Sequence, residues 1–120
     1  MGYGTPRQQV ILSRDLRIRF ANKCLKERVI PKLTSVQVGI EALMKIYLSG
    51  SLEIKHKGVL DNRSPNIDTT RVQLDRKLKE DFGFTAYDNG LISDTMFAVR
   101  AVELLMQMYL DGKIKIEREE

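Results

Sequence analysis

Two short runs of the chain alternate apolar and polar residues, and almost everything else apolar recurs at helical spacing. In Gln9-Val10-Ile11-Leu12-Ser13 and Arg71-Val72-Gln73-Leu74-Asp75, Val10 with Leu12 and Val72 with Leu74 share one face of an extended chain, which predicts strands over 9–13 and 71–75. Behind each run the spacing changes to four. Leu16, Phe20 and Cys24, and Leu78, Phe82 and Ala86, line one side of a helix, the second of which should stop at Asn89-Gly90. A further helix is predicted to begin near Thr34-Ser35, where Thr34 and Gln37 have capping-box spacing, and near Ser93-Asp94-Thr95. Its stripes are Val36, Ile40, Leu43, Met44, Tyr47, Leu48 and Ala98, Val102, Leu105, Met106, Tyr109, Leu110, ended by Gly50 and Gly112.

These elements occur twice because the chain repeats itself. Residue n aligns with residue n+62 without a gap from Arg7 to the C-terminus, and 13 of the 52 aligned positions are identical, where chance would supply about three. The strongest block sets Glu41-Ala-Leu-Met-Lys-Ile-Tyr-Leu-Ser-Gly50 on Glu103-Leu-Leu-Met-Gln-Met-Tyr-Leu-Asp-Gly112. The predicted division is copy one over 1–54, a polar linker over 55–69 and copy two over 70–120. Fifteen extended residues reach up to about 50 Å, so the linker leaves docking unrestricted. A unit of roughly 45 residues buries too little surface to fold alone, and the two should share a core. Antiparallel pairing of the strands over four helices achieves this. It turns Val10, Leu12, Val72 and Leu74 inward and Gln9, Ile11, Ser13, Arg71, Gln73 and Asp75 outward. The tails Leu52-Glu-Ile54 and Ile114-Lys-Ile116 alternate like short strands.

A strand with two inward apolar residues, a helix, a polar turn with Ser or Thr and a longer amphipathic helix ending in Gly resembles the ribbon-helix-helix family, the fold of the Arc and MetJ repressors. The resemblance spans nearly the whole chain and implies a mainly α fold, with two tandem copies forming a two-stranded antiparallel β-ribbon over four helices. By architecture and size the tandem form also resembles regulators of archaeal filamentous viruses and plasmid conjugation proteins. The family implies double-stranded DNA as partner, with the ribbon in the major groove and three outward positions per strand reading bases. These are Gln9, Ile11, Ser13, Arg71, Gln73 and Asp75, with Ile11 set across from Gln73, Gln9 near Asp75 and Ser13 near Arg71. Arg71 suits guanine, Gln9 and Gln73 suit adenine, and Ile11 suits a thymine methyl. Phosphates would meet Arg7, Arg14 and Arg76, and the starts of the second helices at Thr34, Ser35, Ser93 and Thr95.

Blander roles stand beside these. Ser13 and Asp75 are strong N-cap residues. Ile11 could pack under the arm that contains Tyr3, and Asp94 would repel a phosphate. Arg17, Arg19, Lys23, Lys26 and Arg28 form either a DNA flank or a solvated face. Cys24 reads as a small core residue, Tyr47 and Tyr109 as core, and His56 lies in the linker without metal-ligand company.

Composition narrows the function classes. With 120 residues, 42% hydrophobic, one Cys and no Trp, the chain is expected to be neither disordered nor disulfide-stapled. Charges interrupt every apolar stretch and no signal-peptide pattern opens the sequence, so an intracellular location is expected, with no membrane partner. The net charge of +4 is uneven: residues 1–60 hold 11 basic and 4 acidic side chains, residues 61–120 hold 9 and 12. No phosphate loop, nucleophile with a spaced base, or ligand cluster occurs, so the expected function is binding rather than catalysis, without cofactor or small-molecule ligand. A sequence-specific transcription regulator, with self-association along DNA left open, is the first reading. A relaxosome-like DNA-processing accessory and an antitoxin-like protein-binding module are the alternatives.

Overall fold

A computed structural model describes residues 6–50, 52, 54 and 68–116. Strand β1 (Arg7–Ser13) runs directly into helix α1 (Arg14–Lys26); a 3-10 turn (Leu33–Ser35) then opens α2 (Val36–Leu48). The same order returns as β2 (Thr69–Asp75), α3 (Arg76–Asp88), a 3-10 turn (Thr95–Phe97) and α4 (Ala98–Leu110). Every element starts 62 residues after its counterpart, as the repeat requires. The fold is mainly helical, with one two-stranded antiparallel sheet and four helices.

Both strands have seven residues, two more at the N-terminal side than the alternation alone marks. Thr69 therefore belongs to β2 and not to the linker; residues 55–67, with His56, lie outside the described residues, as does Tyr3. Strand ends are extended by pairing: Arg14 N donates to Asp68 O at 3.0 Å and Arg76 N to Pro6 O at 2.9 Å, so each strand's exit is tied to the other's entry.

Strand-to-helix turns are made by the side chains that end the strands. Ser13 Oγ accepts from Leu16 N at 3.3 Å and Asp75 Oδ1 from Leu78 N at 3.0 Å, each satisfying a first-turn N–H that has no partner within its helix. The capping box expected at Thr34 does not form. Lys32 precedes the turn, Ser35 precedes α2, and neither gives a side-chain cap. In the second copy, Asp94 does cap, accepting from Met96 N at 2.9 Å.

One core serves both copies. Val10, Leu12, Val72 and Leu74 are buried beneath the sheet against Phe20, Ile40, Met44, Phe82, Val102 and Met106. Helix α1 packs chiefly on α4, and α2 on α3, so the first helix of each copy lies on the second helix of the other. The aromatic contacts follow that exchange: Phe20 meets Tyr109 edge-on with centroids 5.3 Å apart, and Phe82 meets Tyr47 at 5.2 Å. Both phenols are partnered across copies. Tyr109 donates to the Glu27 carboxylate, and Tyr47 accepts from Asn89 Nδ2 at 2.8 Å. Leu48, Leu78 and Leu110 are half-buried at the margin of the expected stripes. Of the tails, Ile114 is buried and Leu52, Ile54 and Ile116 pack on the core, but none of these described residues is in a strand.

Cys24 is a core residue. Burial pushes its thiol up to about 12 from an ordinary value of 9.0, outweighing the opposite influence of the neighbouring Tyr109 hydroxyl. Its space is shared with Gly39, where an added Cβ would come within 3.1 Å of Cys24 Sγ. The second copy has Ala86 and Ala101 at the equivalent positions, both buried.

The helix ends also differ between copies. Gly90 follows α3 at φ 77°, whereas the equivalent Arg28 adopts φ 62° with a side chain attached. That conformation strains any L residue, so Arg28→Gly is expected to raise stability by up to about 1 kcal/mol, the relieved strain exceeding the extra unfolded-chain entropy. Urea unfolding at constant m-value checks it; a lower midpoint would refute it.

Candidate nucleic-acid interface

The sheet lies on its helices with one face open. Arg7, Gln9, Ile11, Arg71 and Gln73 are exposed on that face, while their neighbours Val10, Leu12, Val72 and Leu74 are buried. Ile11 is 46% exposed.

Pairing places this row differently from the sequence expectation. Gln9 is opposite Gln73, Ile11 opposite Arg71, Ser13 opposite Thr69 and Arg7 opposite Asp75. The expected pairs, Ile11 with Gln73, Gln9 with Asp75 and Ser13 with Arg71, are each displaced by two residues on one strand. The physical reason is the pseudo-dyad, which passes through the Val10–Val72 pair because those residues are equivalents in the repeat. With strands of seven rather than five residues, the symmetric register centres on Val10 and not on Ile11. The central quartet is thus Gln9 and Gln73, with Gln73 Nε2 donating to Gln9 Oε1 at 3.4 Å, beside Ile11 and Arg71.

Ser13 and Asp75 are half-buried, and both cap helices. Ser13 Oγ and Asp75 Oδ1 accept from backbone N–H groups, so both residues fill the capping role that stood beside base reading. The outermost exposed position on β1 is instead Arg7, whose Nη1 donates to Glu41 Oε2 at 2.9 Å. Arg14 reaches back to the sheet, with Nη2 donating to Thr69 O at 3.3 Å, and it keeps an exposed guanidinium 4.0 Å from Asp68. Arg76 is exposed at the matching corner. Thr34 is exposed and Ser35 half-buried before α2; Ser93 is exposed and Thr95 half-buried before α4, where the Asp94 carboxylate already occupies the first turn.

Two features of the site were not picked out from sequence. Glu41 and Glu103, identical in the repeat, each accept the last strand N–H of the other copy: Glu41 Oε2 from Asp75 N at 2.8 Å and Glu103 Oε2 from Ser13 N at 2.7 Å. They fix where each strand ends. The signal was present, since an acid stood unchanged between core positions in the most similar block. The second feature is a notch of about 300 Å³ beside the sheet, lined by Arg7, Arg17, Thr34, Gln37, Arg71 and Gln73 among others. In the sequence Arg17 stands only as part of a basic run.

Among the described residues no group of His, Cys, Asp and Glu could hold a metal ion, and no helix is long and apolar enough to cross a membrane. No protein-family model, no curated protein and no solved structure matches the chain.

Proposed function

We propose that the chain is a tandem ribbon-helix-helix protein, in which one polypeptide supplies both halves of the ribbon, and that it regulates transcription by binding double-stranded DNA at a specific sequence. The observation that carries this reading is the open face of the sheet. A two-stranded ribbon fits the major groove, which is about 12 Å wide, and this one offers Gln9, Gln73, Arg71 and Ile11 in a single exposed row. A guanidinium can grip guanine in two places, carboxamides can do the same with adenine, and an aliphatic side chain can lie on a thymine methyl. Arg14 and Arg76 flank the row at pseudo-symmetric corners, where they can brace phosphates without reading sequence.

The two strands carry different side chains at equivalent positions, Gln9 against Arg71 and Ile11 against Gln73. A single chain should therefore prefer an imperfect, asymmetric site. Selection from random duplex DNA, followed by titration of the selected site, tests this. Arg71→Ala and Gln73→Ala are each expected to cost about 1–3 kcal/mol at one base position, and Gln73→Ala to leave nonspecific binding nearly intact. Folded variants that bind the selected site as tightly as the parent would refute ribbon readout and favour a protein-binding role. Mapping the selected sequence to promoters or to a transfer origin separates a regulator from a DNA-processing accessory.

A further inference from the structure

The notch beside the sheet is built from three cations on three elements: Arg7 on β1, Arg17 on α1 and Arg71 on β2, with Thr34 and Gln37 as neutral donors. Arg7 is held by Glu41, and Asp75 lies opposite it in the sheet. Arg17 and Arg71 make no ion pair among the described residues. The Nε atom of Arg17 is buried and has no hydrogen-bond partner among them. An orphaned donor on a buried part of a cation is costly. A tetrahedral oxyanion in the notch would compensate the charge of Arg17 and Arg71 through their terminal nitrogens rather than through that buried Nε, since guanidinium groups match phosphate oxygens in charge and in fork geometry.

The other side of the pseudo-dyad lacks this set. The repeat puts Thr69 in place of Arg7, Lys79 in place of Arg17, Gln9 in place of Arg71, Met96 in place of Thr34 and Val99 in place of Gln37. Lys32, ahead of α2, is matched by Asp94, whose carboxylate caps the turn ahead of α4. One side thus offers three arginines, and its counterpart offers one lysine, a threonine, a glutamine, apolar side chains and a carboxylate.

We propose that the Arg7–Arg17–Arg71 notch is a binding site for one phosphate group and that it makes the molecule grip its ligand from one side only. In taking a DNA backbone phosphodiester as its occupant, this inference rests on the DNA-binding reading above; the same chemistry would accept free phosphate. The site would also give the chain a defined direction along a duplex, because only one flank of the ribbon is anchored this way.

Two arms test it on the full chain. In the first, inorganic phosphate alone is titrated at constant ionic strength while the arginine Nε–H signals are followed by NMR. Saturable shifts of Arg17 and Arg71 are expected, with the Arg71 shift lost in Arg17→Gln and partly restored in Arg17→Lys, and with melting curves confirming that both variants fold. Unmoved Arg17 and Arg71 signals would overturn the site. In the second arm, single methylphosphonates are scanned along the selected duplex. One neutralised phosphate on one flank should lower affinity about tenfold, and its mirror-related partner less than about twofold; Arg17→Gln should reduce the salt slope by about 1. Equal losses on both flanks would overturn the one-sided grip. Failure of every duplex to bind, with the phosphate shifts intact, would overturn the DNA reading and identify the notch as a site for free phosphate.

Discussion

Glu103→Ala is expected to destabilise the protein by about 3–5 kcal/mol, the range for breaking a buried charge pair by removing one partner. Glu103 is 4% exposed, the one buried charged side chain among the described residues. It holds Ser13 N at 2.7 Å with one oxygen and Arg100 Nη1 at 2.6 Å with the other. Truncation leaves a backbone donor and a part-buried guanidinium without their acceptor. Glu41→Ala removes the equivalent bond to Asp75 N, but its side chain is 16% exposed and its partner Arg7 is 51% exposed. Water can replace more of what is lost there, so the cost should be smaller, about 1–3 kcal/mol. Chemical denaturation of both variants checks the ranking; equal or reversed losses would show that Glu103 is not the tighter clamp. Glu103→Gln keeps an acceptor for Ser13 N and should fall between parent and Ala variant.

The ranking bears on function because these carboxylates hold the ends of the strands. Each belongs to the helix of one copy and the strand exit of the other, so they resist sliding of β1 on β2. A slip of β1 by one residue would turn Gln9 and Ile11 toward the core and Val10 and Leu12 out of it.

The elements of this fold could be read from sequence because their signals are local: alternation for the strands, fourfold spacing for the helices, and Gly50, Gly90 and Gly112 at helix ends. The shared core could be argued from size. Cross-strand register was less accessible. The alternation around Val10 and Leu12 marks which face is inward but not which residues are opposite, and Arg7 and Thr69 enter the strands through pairing rather than through any apolar pattern of their own. The notch was inaccessible for a similar reason. Arg7, Arg17 and Arg71 are far apart in the chain, and only the crossing of β2 beside β1 and α1 gathers them. Ser13 and Asp75 show the opposite case, in which one residue type suits two roles and geometry selects capping.

Neighbouring positions on β1 should respond in opposite ways to the same substitution. Leu12 and Leu74 are fully buried under the sheet, among side chains from all four helices, and the two-stranded sheet has no other layer with which to fill a void. Leu12→Ala or Leu74→Ala should therefore cost about 2–5 kcal/mol through lost transfer energy and the cavity left behind. Ile11, 46% exposed on the opposite face, loses little that burial supplied, and Ile11→Ala should change stability by less than about 0.5 kcal/mol. In DNA binding the order reverses once folding is controlled. At temperatures where all variants are folded, Leu12→Ala should bind the selected site almost as the parent does. Ile11→Ala should lose discrimination at a thymine by about 1 kcal/mol, the scale of one apolar contact. Melting curves and site titrations on the same preparations measure both. An Ile11→Ala protein that unfolds like Leu12→Ala would place Ile11 under cover and remove it from the reading face.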